Sequence, residues 1–232
     1  MNLAILNYSA LAAVVLLVGA SLGAFLKMSA KSISLTQHLT AGVVFAAVAT
    51  ELLPKILEMH SPLHIAIGFS LGVALMVLIK TLTSRIENPN QFSWGLLIGI
   101  GIDLFIDGLL IAVAFLSGQK TGKLMALALI LEVGFLALSL STELIQKKTT
   151  LLFRGMVFGT FSLLIPLGTG IGILLLNHLP PSLFVEALSF GAAVLLYLVT
   201  EELLVEAHET KDTPLITASF FLGFLILILF KD

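Results

Sequence analysis

The chain has 232 residues, of which 58% are hydrophobic and only 11% are charged, and it contains no cysteine. Soluble domains carry about a quarter charged residues, so this composition excludes an ordinary water-soluble enzyme and is typical of an integral membrane protein. The net charge of −2 and the lack of a basic tract exclude nucleic acid as a partner. Without cysteine there are no disulfides and no thiolate metal sites.

Eight apolar stretches are long enough to cross a membrane as helices. A helix needs about 20 mostly apolar residues to span the hydrocarbon core of the lipid bilayer, and the alternation of a membrane β-barrel is absent. The predicted helices are 3–26, 36–57, 63–83, 93–117, 122–146, 150–176, 183–207 and 213–230. The predicted fold is an all-α polytopic membrane protein with eight transmembrane helices. No phosphate-binding loop, nucleotide fingerprint or hydrolytic triad is found, so neither enzyme activity nor a cofactor is predicted.

The basic residues of the loops predict the orientation of the chain. Loops rich in Lys and Arg face the cytoplasm. Eight of the 12 basic residues lie around the connections after the first, third, fifth and seventh helices, namely Lys27, Lys31, Lys80, Arg85, Lys147, Lys148, Arg154 and Lys211. The prediction is a multi-pass protein of the cell membrane with both termini outside.

Three segments near the start of the chain resemble three segments about 150 residues later, in the same order. The pairs are Val18–Leu26 with Leu167–Leu175, Thr50–Leu53 with Thr200–Leu203, and Ser70–Lys80 with Phe221–Lys231. Because the second and seventh helices cross the membrane in opposite directions, this repeat is inverted. The alternative is that apolar helices with scattered glycines resemble one another through composition alone.

The repeat predicts a 3+2+3 arrangement within one transporter domain that covers residues 1–232. The repeat halves are about 1–84 and 150–232, and the fourth and fifth helices, at 93–146, lie between them. Inverted repeats around a site at the membrane midplane are typical of secondary transporters, which work by alternating access.

Three acidic residues fall near the middle of predicted spans. Asp103 and Asp107 are four residues apart, which places them on one face of the fourth helix, and Glu132 lies in the fifth. Each acid at the bilayer centre costs about 2.5–3.5 kcal/mol, and neither helix offers a basic residue at that depth. We therefore expect a bound cation and predict a metal site formed by Asp103, Asp107 and Glu132. The alternative is protonated acids that hydrogen-bond between helices.

Four further acids lie nearer the ends of predicted spans and suggest a route to and from this site. We predict that Glu51 and Glu186 lie on the outer approach and that Glu201 and Glu202 lie on the inner exit. Acids that flank a central site can gather and release a cation. For Glu201 and Glu202 the alternative is a solvated helix end.

Four segments resemble the ZIP (Zrt/Irt-like protein) family of metal transporters. Ala41–Lys55, with Leu-Leu-Pro near its end, is similar to the family's second helix, which typically ends His-Leu-Leu-Pro-Glu. Asp103–Gly108 is similar to the family motif His-Asn-x-x-Asp-Gly, and Leu131–Phe135 lies where the family has His-Glu-x-Pro-His. Gly191–Glu206 resembles its seventh helix. The resemblance covers nearly the whole chain and implies the family's eight-helix, 3+2+3 fold.

The resemblance also implies a function. It implies a carrier of zinc or a related divalent cation into the cytoplasm, a homodimer, and movement of the second, fourth, fifth and seventh helices against the other four. Leu104, Leu131 and Phe135 stand where the family has metal ligands, so a single metal rather than a pair is expected. These departures leave two alternatives open: a metal sensor or scaffold that does not transport, and a proton- or Na⁺-coupled carrier of another solute.

Overall fold

The structure, a computed structural model, describes residues 2–26, 29–84, 94–176, 179–208, 210–211 and 213–231, most of which lie in eight long helices. The helices are α1 Asn2–Phe25, α2 Ala30–Glu58, α3 Pro62–Ser84, α4 Trp94–Ser117, α5 Gln119–Gln146, α6 Leu151–Leu176, α7 Pro181–Ala207 and α8 Pro214–Lys231. Seven are long and apolar enough to span a membrane, and α8 is a shorter apolar helix. The described part of the chain contains no strand. The predicted all-α membrane fold is therefore confirmed.

Successive helices are joined by short connections and run antiparallel. We call the side that holds the N-terminus of α1 and the C-terminus of α8 the terminal end, and the other side the opposite end. Of the eight basic residues used for the orientation, the six that the structure describes lie at the opposite end; Lys27 and Arg85 fall outside the described residues.

Helix α2 begins earlier than predicted, at Ala30 and not at 36. Ser29 caps it, because its Oγ accepts a hydrogen bond from the backbone N–H of Ser32 at 3.2 Å. The polar side chains of the first turns bond to α7: Ser34 Oγ donates to the carbonyl of Ala207 at 2.7 Å. A prediction based on apolar length misses these turns, since their polar groups are satisfied inside the bundle.

Two helices contain a π-helical turn at corresponding positions of the predicted repeat. The turns are Val48–Leu52 in α2 and Leu198–Leu203 in α7, and each carries a Thr-Glu pair. In α2 the following Pro54 has no N–H for the carbonyl one turn earlier, which favours the wider turn. Helix α7 has no proline there. Turns of this kind are frequent at functional sites.

Glycines allow the helices to pack closely in four pairs: α1 with α5, α4 with α6, α2 with α8, and α3 with α7. Between α4 and α6 the arrangement is reciprocal. A Cβ atom at Gly108 would overlap the carbonyl oxygen of Ile165, and a Cβ at Gly168 would overlap that of Phe105. Such small-residue contacts replace the hydrophobic driving force that is lacking between helices in lipid.

These pairs join into two units. Helix α1 also packs on α6, and this contact joins α1, α4, α5 and α6 into a first unit. Helix α2 also packs on α7, and this contact joins α2, α3, α7 and α8 into a second unit. The units meet mainly where α2 packs on α5 and where α4 meets α3 and α7. The family resemblance implies that α2, α4, α5 and α7 move against α1, α3, α6 and α8. Each of the four closest pairs joins one helix of the first set to one helix of the second. The packing therefore does not follow that division.

We expect Gly168→Ala to lower the free energy of unfolding by about 1–3 kcal/mol, because the new methyl group overpacks the α4–α6 contact. Thermal unfolding of the purified protein in detergent measures the change. Gly159→Ala is the matched control, since no atom lies within 4 Å of a Cβ at that position of the same helix. Equal melting temperatures for the two variants would contradict the assigned contact.

Candidate metal centre

The three central acids lie together in the interior. Asp103 and Asp107 are one turn apart on α4, and Glu132 reaches them from α5. Oxygen atoms of the three carboxylates lie within 4.8 Å of one another. The side chains are buried, with 8% of Asp103 and 2% of Asp107 and Glu132 exposed. The structure thus brings all three predicted metal-site residues to one point.

Parts of this cluster have no hydrogen-bond partner. Asp107 Oδ2 and Glu132 Oε2 are inaccessible, and no donor contacts them among the described residues. Within the same residues, none of the ion pairs involves an acid of the cluster. Burying unpaired carboxylate oxygens is costly unless a proton or a cation offsets them. Three carboxylates that converge on one point can supply such a cation with oxygen ligands.

Towards the terminal end the cluster is closed by apolar side chains. On the same faces as the acids, the next two turns carry Ile111 and Phe115 on α4 and Leu129 and Met125 on α5. None of these four is more than 1% exposed. These four side chains form an apolar layer between the acids and the terminal end.

Towards the opposite end two cavities reach the cluster. The first, about 440 Å³, lies between α2 and α5 and extends from the surface at Ala30 and Gln146 to Glu132. The second, about 270 Å³, lies between α3, α4 and α7 and reaches both Asp103 and Glu132. The two cavities therefore lead from the opposite end to Asp103 and Glu132 at the edge of the cluster.

The first cavity has a polar wall that sequence reasoning missed. On α2 it includes Gln37 and Thr40, and on α5 it includes Glu143. Gln37 Nε2 donates to Glu206 Oε2 of α7 at 2.5 Å. Thr40 is 1% exposed, and its hydroxyl has no hydrogen-bond partner among the described residues. The available signal was the spacing of three between Gln37 and Thr40, which places two polar residues on one helix face.

At the terminal end the structure places Glu51 and Glu186 apart from the cluster. Glu51 is buried in the π-helical turn of α2, and its Oε2 accepts a hydrogen bond from Thr121 Oγ1 of α5 at 3.0 Å. Glu186 lies between α7 and α3, where its Oε1 is 2.6 Å from His64 Nδ1. The first therefore lies where the two units meet, and the second within the second unit.

At the opposite end the two adjacent glutamates of α7 differ. Both line the second cavity, and Glu202 is near enough to Asp103, Asp107 and Glu132 to interact with them electrostatically. Glu201 is half exposed and pairs with Lys80 of α3 at 3.1 Å. Of the two, Glu202 stands closer to the site.

The sequence matches the ZIP zinc transporter family over residues 83–231, which include the whole acidic cluster. A comparison with curated proteins found no match. The matched region covers more than half of the chain and confirms the family resemblance; Ala41–Lys55 lies outside it. The apolar helices of the protein expose many large leucine and phenylalanine side chains, as contact with lipid requires. The chain belongs to the ZIP zinc transporter family and is an integral membrane metal transporter.

Proposed function

We propose that the protein moves a divalent metal cation, zinc or a related transition metal, into the cytoplasm through a site formed by Asp103, Asp107 and Glu132. The observation that carries the proposal is the buried, unpartnered oxygens of this cluster. The metal is the transported substrate and not a resident cofactor. The family resemblance adds that the protein is a homodimer, and we place it in the cell membrane.

Alternating access is supported by where the cluster lies. It belongs to α4 and α5 of the first unit and faces α2 and α7 of the second across the two cavities. Rocking of one unit against the other changes these contacts and leaves the four glycine-rich helix pairs intact. Closing the cavities and opening the apolar layer at the terminal end would expose the site to the other side.

The packing also supports the 3+2+3 inverted repeat. If α1, α2 and α3 correspond to α6, α7 and α8, and α4 to α5, the pair α1–α5 maps onto α6–α4 and the pair α2–α8 onto α7–α3. The π-helical turns of α2 and α7 map onto each other in the same way. The inverted repeat thus maps each unit onto itself. This internal symmetry supports two units that rock against each other between inward-facing and outward-facing states.

The positive-inside rule supports the orientation that inward transport requires. The opposite end carries most of the basic loop residues, which favours a cytoplasmic position for this end and an outer position for both termini. The cavities then open inward, with Glu201, Glu202, Glu206 and Glu143 along the exit. On the outer side, Glu51 and Glu186 form the approach.

Metal uptake by proteoliposomes that contain the purified full-length protein tests this function. We expect influx of Mn²⁺ and Zn²⁺ down an imposed gradient, read by a metal-sensitive dye inside the vesicles. Glu58→Gln changes an exposed acid away from the cluster and should transport like the wild type. Metal binding without influx would identify the sensor alternative, and solute flux driven by a pH or Na⁺ gradient without divalent metal would identify the coupled carrier.

A further inference from the structure

On α2, the helix that faces the acidic cluster across the first cavity, one buried hydroxyl group has no hydrogen-bond partner among the described residues. Thr40 lines the first cavity together with Glu132. It is 1% exposed, and its Oγ1 has no hydrogen-bond partner in the part of the chain that the structure describes. A buried hydroxyl left without a partner costs free energy, so its presence in the wall of a polar cavity calls for a ligand.

The depth of Thr40 follows from the pairing of α2 with α5. Glu51 and Thr121 lie at one level, because their side chains hydrogen-bond at 3.0 Å. The two helices are antiparallel, and Thr40 and Glu132 each lie eleven residues from that level towards the opposite end. At 1.5 Å per residue both are displaced by about 16 Å, which places Thr40 at the depth of Glu132.

We propose that Thr40 Oγ1 is the fourth protein ligand of the transported cation and completes an all-oxygen site with Asp103, Asp107 and Glu132. This inference rests on the proposed function, since it adds a ligand from the second unit to the same site. A hydroxyl is a neutral oxygen donor that suits cations preferring oxygen, such as Mn²⁺. Because the ion then bridges α2 of one unit and α4–α5 of the other, its binding couples to their relative position.

The first test measures Mn²⁺ affinity of the purified full-length protein by electron paramagnetic resonance of the free ion. Thr40→Val removes the hydroxyl at nearly constant shape. We expect affinity to fall at least about tenfold, because loss of a group that only orients a metal ligand already weakens metal sites about 10–100-fold. Thr40→Ser retains the hydroxyl and should restore binding. Ser189→Ala removes another buried, unpartnered hydroxyl that lines neither cavity, and it should bind like the wild type.

The second test introduces a soft ligand at the same position. The natural chain has no cysteine, so Thr40→Cys supplies the only thiol. We expect Cd²⁺ to produce the ultraviolet charge-transfer band of a Cd²⁺–thiolate bond in this variant and not in Ser189→Cys. The band should weaken when Asp107→Asn is added, because the cluster then no longer holds the ion beside the thiol.

The outcomes separate the two hypotheses. If the wild type binds Mn²⁺ and Asp107→Asn does not, unchanged binding in Thr40→Val or no Cd²⁺–thiolate band in Thr40→Cys overturns the role of Thr40 alone. If the wild type binds no divalent metal, the proposed function falls together with this inference. Weaker Mn²⁺ binding in Thr40→Val, rescued in Thr40→Ser, supports both.

Discussion

Asp107→Asn is expected to weaken metal binding and uptake at least about 100-fold, a loss of about 3 kcal/mol, because a charged ligand of a buried ion is removed. The same change should stabilise the metal-free protein. The asparagine amide can donate hydrogen bonds to the neighbouring carboxylates, and one of three mutually repelling charges disappears. Metal uptake should therefore fall while the stability of the metal-free protein rises. This trade-off is typical of binding sites whose charged groups destabilise the fold until the ligand is bound.

Two measurements check this prediction: metal uptake by proteoliposomes and the melting temperature of the purified protein in a chelator. The opposite signs exclude the alternative in which protonated acids hold the helices together. In that case Asp107→Asn would leave the melting temperature unchanged or lower it, and uptake would persist. Glu58→Gln serves as the control for removal of one acidic charge from an exposed position.

The metal site could be predicted from the sequence because the prediction depends only on helix geometry and on the free-energy cost of placing acids in lipid. The spacing of Asp103 and Asp107 fixes their common face on any helix. The cost of acids in lipid selects Glu132 as their partner, since it lies at the same depth in the next helix. The family match over residues 83–231 confirms the resemblance of these motifs and leaves the ligand set a proposal.

The helix pairing could not be predicted, because it depends on which small residues meet across the bundle. Gly108 and Gly168 are distant in the sequence, and nothing in either segment says that each receives a carbonyl of the other helix. Thr40 was missed for a related reason. In the sequence it is one hydroxyl in the polar first half of α2, and only its burial without a partner, opposite Glu132, sets it apart.

A chemical link between residues 51 and 121 is expected to stop transport completely, because it would hold the two units together at the terminal end. In this structure Glu51 of α2 bonds to Thr121 of α5, and the ammonium of Lys55 donates to the carbonyl of Ser117 at the end of α4. These contacts join the second unit to the first between the apolar layer and the terminal end. In the proposed mechanism, outward opening breaks them.

The chain suits this experiment because it contains no cysteine. The double variant Glu51→Cys, Thr121→Cys is treated with a short, reducible thiol cross-linker, and uptake is compared before linking, after linking and after reduction in the same protein. Influx should fall to the level of protein-free vesicles and return on reduction. Either single variant, treated in the same way, should keep its own rate.

A second linked pair distinguishes rocking of the two units from a general effect of cross-linking. Ser141 of α5 donates to the carbonyl of Ala20 of α1 at 2.7 Å, so both residues belong to the first unit. Linking cysteines at these two positions should leave uptake unchanged, because the distance between them stays constant while the units rock. If instead α5 moves against α1, as the division taken from the family resemblance requires, this link blocks transport and the division into units proposed from the packing is wrong.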